Sequence, residues 1–145
     1  MTYQPGLRLP GYYEYYAAPL KMVSTPEGGM AAWRMSIETG DWEPANHLID
    51  KVLFARGGEV DRLSKQEFVE LCEETRARYL QGTGPVYALY ETRRAITDTV
   101  EREDRPYTLP ERALLAGLSR ETYVMFEEEL RRAGSPGADP SLGRD

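Results

Sequence analysis

His47 and Cys72 are the single histidine and the single cysteine of this chain, and they are its most versatile groups for acid–base and nucleophilic chemistry. A histidine general base needs a nucleophile or carboxylate within hydrogen-bond reach, and Asp50 and Glu43 are the nearest in sequence. His47 stands one residue before the apolar face of its own segment, which reads as a boundary or surface position. Metal binding would require ligand spacings such as two histidines on one helix face or alternating aspartates, and neither occurs. Cys72 falls on an apolar helix face, the usual setting of a core thiol. A Cys72–His47 catalytic pair would need a geometry that spacing alone does not define.

Gly82-Thr83-Gly84 precedes a helix, where free backbone N–H groups can hold an anion. The lysine and spacing of a phosphate loop are missing, as is a dinucleotide fingerprint, so the segment reads as a helix–helix linker. Acidic runs at Glu73-Glu74, Glu101–Asp104 and Glu127–Glu129 lie beside arginines and read as solvated helix faces with i,i+4 pairing. No catalytic constellation emerges. The expectation is therefore a non-enzyme that uses no cofactor and no metal.

Two features point to binding instead. The first is the aromatic N-terminus with Tyr3, Tyr12, Tyr13, Tyr15 and Tyr16. On a strand, Tyr12 and Tyr16 share one face while Tyr13 and Tyr15 share the other, so some rings are expected at the surface. Tyrosine suits interfaces because it joins apolar area to a hydroxyl. The expected partner-binding set is Tyr12, Tyr13, Tyr15 and Tyr16, supported by Trp33 and Trp42. Pro19 marks this strand as an edge, suited to homodimerisation by strand pairing or to capture of a protein partner.

The second feature is the segment from Leu114 to Gly134. Gly117, Leu118, Ser119, Arg120, Glu121 and Thr122 run in order, with Leu130 and Gly134 following at matching offsets. This segment resembles the helix-turn-helix of the cyclic-AMP-receptor type regulators. The resemblance implies that Ser119, Arg120, Glu121 and Thr122 open a recognition helix whose first residues touch base edges. It covers about a seventh of the chain, as a single motif among several that define a nucleic-acid reader. It departs at Met125, where the family has a basic residue, and at Glu127, where it has an apolar one. The negative charge of Glu127–Glu129 opposes contact with phosphates.

Positioning these groups requires a fold. Residues 1–11 read as an irregular lead-in because of Pro5, Gly6, Pro10 and Gly11. Residues 12–23 are aromatic and β-prone, predicting one strand. A turn at 25–29 then leads to a strand from Met30 to Glu38 with Ala31, Trp33, Met35 and Ile37 on one face. A short third strand is expected around Trp42. Leu48, Ile49, Val52 and Leu53 predict a helix of about three turns stopped by Gly57-Gly58. Residues 59–63 read as a short strand returning to the sheet.

Ser64 and Glu67 form a capping-box pattern opening a helix with Phe68, Leu71, Cys72, Thr75 and Tyr79 on one face. Pro85 opens another to about Arg102. Thr108 and Glu111 start a short helix ended by Gly117, and Ser119 caps a last one to about Ala133. Residues 135–145 read as a disordered tail with nothing to bury. The expected fold class is α+β: a small N-terminal antiparallel sheet, hairpin or three-stranded, followed by four to five helices. Residues 1–134 are expected to form one domain.

With 24 acidic against 18 basic side chains, the formal charge is -6, which disfavours nonspecific attraction to phosphates and anionic membranes. One cysteine permits no intrachain disulfide, and no long apolar run or leader-like pattern stands out, so a cytoplasmic location and no membrane partner are expected. The leading functional expectation is a noncatalytic protein-interaction module: a small acidic adaptor, inhibitor or regulatory subunit of the phage or bacterial-conflict kind. The alternative is a DNA-binding regulator acting through residues 109–134.

Overall fold

The computed structural model describes residues 8–144. Tyr3 and most of the lead-in lie outside the described residues. The fold is α+β, with a five-stranded antiparallel sheet and four helices. The strands are β1 (Gly11–Tyr15), β2 (Ala18–Ser24), β3 (Met30–Met35), β4 (Trp42–Pro44) and β5 (Val60–Leu63), in the spatial order β4-β3-β2-β1-β5. The helices are α1 (Ile49–Leu53), α2 (Lys65–Tyr79), α3 (Pro85–Arg102) and α4 (Leu109–Arg132). The sheet is thus larger than the expected hairpin, and it is not confined to the N-terminus, because β5 follows α1.

The strand expected over 12–23 is two strands. Tyr16 and Ala17 have φ of 47° and 67°, which makes the two-residue reversal that joins β1 to β2. Such turns favour Asn-Gly, and Tyr-Ala carries no turn signature, so the reversal is invisible in composition. Neither β1 nor β2 is an edge, contrary to the reading of Pro19. Tyr15 pairs with Ala18 beside the turn, so Glu14 and Pro19 form the next, non-hydrogen-bonded pair. The missing N–H of Pro19 therefore points toward β3, whose ladder with β2 begins only at Leu20 opposite Arg34. Proline is tolerated inside the sheet because no ladder bond is asked of it.

Both faces of the sheet are covered. Tyr13, Tyr15, Leu20, Met22 and Ala32 pack with Leu48 and Val52 from α1 and the 3-10 turn before it, and Leu9 joins them. On the opposite face Met35 and Trp42 meet Phe68, Val69 and Cys72 of α2 and Tyr123 of α4, with Tyr12 and Trp33 packed alongside. α3 lies outside this layer, with Tyr90 against Ala77, Leu80 and Phe126. The expected three-turn helix after Pro44 is shorter, a 3-10 turn at Asn46–Leu48 leading into five-residue α1. Asn46 contributes instead to the sheet, its side-chain oxygen accepting from the Ala32 N–H at 2.8 Å.

The capping boxes form as their patterns require. Ser64 with Glu67 opens α2, and Thr108 with Glu111 opens α4. α4 then runs unbroken for 24 residues, with no turn at Gly117. A mid-helix glycine costs only about 1 kcal/mol, and burial of Leu118, Tyr123 and Phe126 outweighs it.

Residues 135–144, expected as a loose tail, are packed. A 3-10 turn at Pro140–Gly143 buries Pro140 and Leu142, and the Asp139 side chain caps it through the Ser141 N–H. Gly137 passes so close to the sheet that a β-carbon there would lie 2.6 Å from Trp42 Cβ, which leaves room for glycine alone. Composition hid this docking because one leucine anchors the segment and backbone groups do the rest.

Candidate functional site

The residues with chemical potential in sequence are not brought together. His47 is exposed in the 3-10 turn whose Leu48 packs on one face of the sheet, while Cys72 is buried on the other face. The sheet lies between them. Burial pushes the Cys72 thiol well up from its ordinary range, so it sits as a neutral core group.

The tyrosines divide between core and surface. Tyr13 and Tyr15 are buried beside α1, and Tyr12 is half-buried against Phe68 with ring centroids 4.9 Å apart. Trp42 is buried and Trp33 half-buried. Tyr16 alone of the expected contact set is open to solvent, at 66% exposure. Most of the expected partner surface is therefore core, because the sheet is covered on both faces where one exposed side was anticipated.

Ser119 and Thr122 are also buried. Ser119 Oγ accepts from Arg93 at 2.7 Å, and Thr122 donates to the Leu118 carbonyl at 2.9 Å. Arg120 and Glu121 are exposed midway along continuous α4, without the turn that a recognition helix needs in front of it.

The acidic runs hold a surprise that helical spacing could not reveal. Glu73 and Glu127 are wholly buried and clasp the equally buried Arg76 between them, with Arg76 Nη1 2.8 Å from Glu73 and Nη2 bonded to Glu127. They are not solvated faces. Arg76 also donates to the Gly40 carbonyl at 2.8 Å, Tyr90 donates to Glu73 at 2.7 Å, and Asp139 N–H donates to Glu127 at 2.9 Å. Lys21 joins from β2, donating to the Gly137 carbonyl with its ammonium 4.4 Å from the Trp42 ring centre.

Burial opposes the charge on Arg76, but Glu73 and Glu127 outweigh it and hold the guanidinium firmly protonated. Burial raises Glu73 against the pull of Arg76, and burial lowers Lys21 against the pull of Glu127. Two cations facing two carboxylates leave this cluster balanced. The cluster is closed to solvent, and its geometry positions α2, α4, β2 and the C-terminal segment relative to one another.

Sites for a partner lie at the sheet's two ends, which differ in their free hydrogen-bonding groups. Hydrogen-bonded pairing of β3 with β4 runs through Arg34 with Glu43, so the backbone groups of Trp42 and Pro44 point away from β3. The Trp42 N–H is taken by the Asp41 carboxylate at 2.6 Å, and Pro44 has no N–H to offer. That edge presents no open donor.

At the other end Tyr16 N–H donates to the Glu59 carbonyl at 2.9 Å, which sets Glu14 with Asp61 and Tyr12 with Leu63 as the hydrogen-bonded pairs. The backbone groups of Val60 and Arg62 therefore point away from β1, and among the described residues nothing accepts from their N–H groups. The Arg62 side chain folds back over Tyr13, donating to its hydroxyl at 3.3 Å. The exposed Tyr16 ring, in the turn whose backbone is bonded to Glu59 just before β5, is braced edge-on against Tyr15 with centroids 4.8 Å apart. Among the described residues β5 is an open edge, and Tyr16 is tied to the residue that precedes it. Its outward polarity depends on pairing order, which no local pattern encodes.

No family model matches the chain, and neither a curated protein nor a solved structure matches it.

Proposed function

We propose that this chain is a protein-interaction module that captures an extended segment of a protein partner along β5. The observation that carries the reading is the contrast between the two sheet edges. Nature closes one with Asp41 and Pro44 and leaves Val60 and Arg62 open at the other. Addition of a strand to an open edge draws affinity from main-chain hydrogen bonds and specificity from neighbouring side chains. Tyr16 supplies the latter: an exposed ring with its orientation set by Tyr15 and its backbone tied to Glu59. The acidic surface favours a partner segment of basic character.

Capture from a lysate of the source organism tests this. Arg62→Pro removes the outward N–H while Asp61 and Leu63 keep their bonds to β1, so the fold is preserved. Tyr16→Ser removes the ring. A protein retained by the native chain and lost from both variants supports the reading. Equal retention by Arg62→Pro overturns it. A second copy of the chain as the retained partner appears as a concentration-dependent dimer in light scattering, lost in the same variants.

A further inference from the structure

The C-terminal end of α2, the body of α3 and the first turns of α4 enclose an open groove of about 710 Å³, within the size range of small-ligand sites. Its deepest ionic group is Arg93, only 9% exposed. Nη1 of Arg93 donates to Ser119 Oγ at 2.7 Å, and among the described residues no carboxylate pairs with it. That contrasts with Arg76, which is buried more deeply still and is held between two carboxylates. A guanidinium buried without a counter-charge is destabilising unless something supplies one.

Two further arginines line the same groove without an ion-pair partner among the described residues. Arg94 is half-buried and steadied by its bond to the Ala77 carbonyl, and Arg78 projects from α2. Arg105, also at the groove, is already neutralised by Glu103 and Glu111. The carboxylates that line the groove, Glu74, Asp98, Glu101 and Asp104, are all exposed. Their charge is screened by solvent more strongly than that of Arg93. The groove thus has Arg93 and Arg94 toward its floor and a rim that carries four carboxylates beside Arg78.

We infer that the groove binds a small ligand that carries an oxyanion at one end and a positive charge at the other. The oxyanion, carboxylate or phosphate, seats on the forked donors of Arg93 with Arg94 and Arg78 beside it. The positive end turns outward to the acidic rim. The site is independent of β5, and either assignment can fail without the other.

The test follows the Arg93 side-chain Nε–H resonance by NMR during titration of the whole chain with phosphoethanolamine, γ-aminobutyrate, inorganic phosphate and ethanolamine. The two zwitterions are expected to shift it saturably at millimolar or lower concentration, the one that binds tighter identifying the oxyanion, and ethanolamine is expected to leave it unmoved. Arg93→Lys, which keeps charge but not the fork, lacks that resonance, and isothermal titration calorimetry of the variant is expected to show binding at least about tenfold weaker than that of the native chain. Arg78→Gln, on the exposed rim, leaves the core untouched and is expected to weaken it several-fold. The inference is overturned if neither zwitterion shifts the resonance, if ethanolamine shifts it as well as they do, or if both variants bind like the native chain.

Discussion

The indole Nε1 of Trp42 stands 3.0 Å from both carboxylate oxygens of Glu127, joining the edge of the sheet to α4 across 85 positions of chain. Both groups are buried, and Glu127 at the same time holds Arg76 and the backbone of Asp139. One carboxylate thus ties together β4, α2, α4 and the C-terminal segment.

Glu127→Ala leaves Arg76 with one carboxylate and Trp42 with no acceptor, and is expected to cost about 3–5 kcal/mol of stability. Trp42→Phe keeps the ring packing but strands part of the carboxylate, costing about 1–3 kcal/mol. Urea denaturation of both single variants and the double measures their coupling, expected at about 1 kcal/mol or more because the two groups touch. Additive costs would show that the indole bond contributes nothing.

Removal of residues 135–145 withdraws Leu142 from the core, the Gly137 carbonyl from Lys21 and the Asp139 N–H from Glu127. Loss of the leucine burial and of partners for two buried ionic groups is expected to cost about 4 kcal/mol or more. A chain ending at Gly134 with a urea midpoint equal to that of the full chain would return these residues to the status of a tail.

The reversal between β1 and β2 places Ala17 at φ 67°, where a β-carbon is strained. Ala17→Gly is expected to stabilise the protein by about 1 kcal/mol, since the released strain exceeds the added freedom of the unfolded chain. Tyr16, and with it the proposed contact, stays in place. A lower melting temperature for this variant would count against the turn.

Glu111 is clasped by Arg105 at 2.8 and 2.9 Å and accepts from the Thr108 N–H at 2.8 Å. The Arg105 hydrogen bonds, then the Thr108 backbone, pull its carboxyl down from 4.5 to about 2. A depressed carboxyl stabilises the fold above its unfolded value, and that contribution is lost as pH falls from 4.5 toward 2. Native protein should therefore lose stability faster than Glu111→Gln across that window. Parallel acid-unfolding profiles for the two would refute the assignment.

Local signals were legible wherever neighbours in sequence are neighbours in space. The capping boxes at Ser64 and Thr108, the proline opening α3 and the alternation across Met30–Met35 each need only a few adjacent residues. The resemblance at Gly117–Thr122 was equally local, and it failed for the complementary reason. A glycine ends a helix only when nothing beyond it packs, and Leu118 to Phe126 pack against α2 and α3.

Backbone capping and side-chain periodicity act over a few residues, so an α+β chain with helices begun at Ser64, Pro85 and Thr108 and a strand from Met30 is written in the order of its amino acids. Tertiary structure alone decided that Tyr13 and Tyr15 belong to the core, that Glu73 and Glu127 leave water for Arg76, and that Val60 and Arg62 present the open edge. A glutamate beside an arginine reads the same on a solvated helix as in a buried cluster. Only the packing of distant elements removes the water that tells them apart.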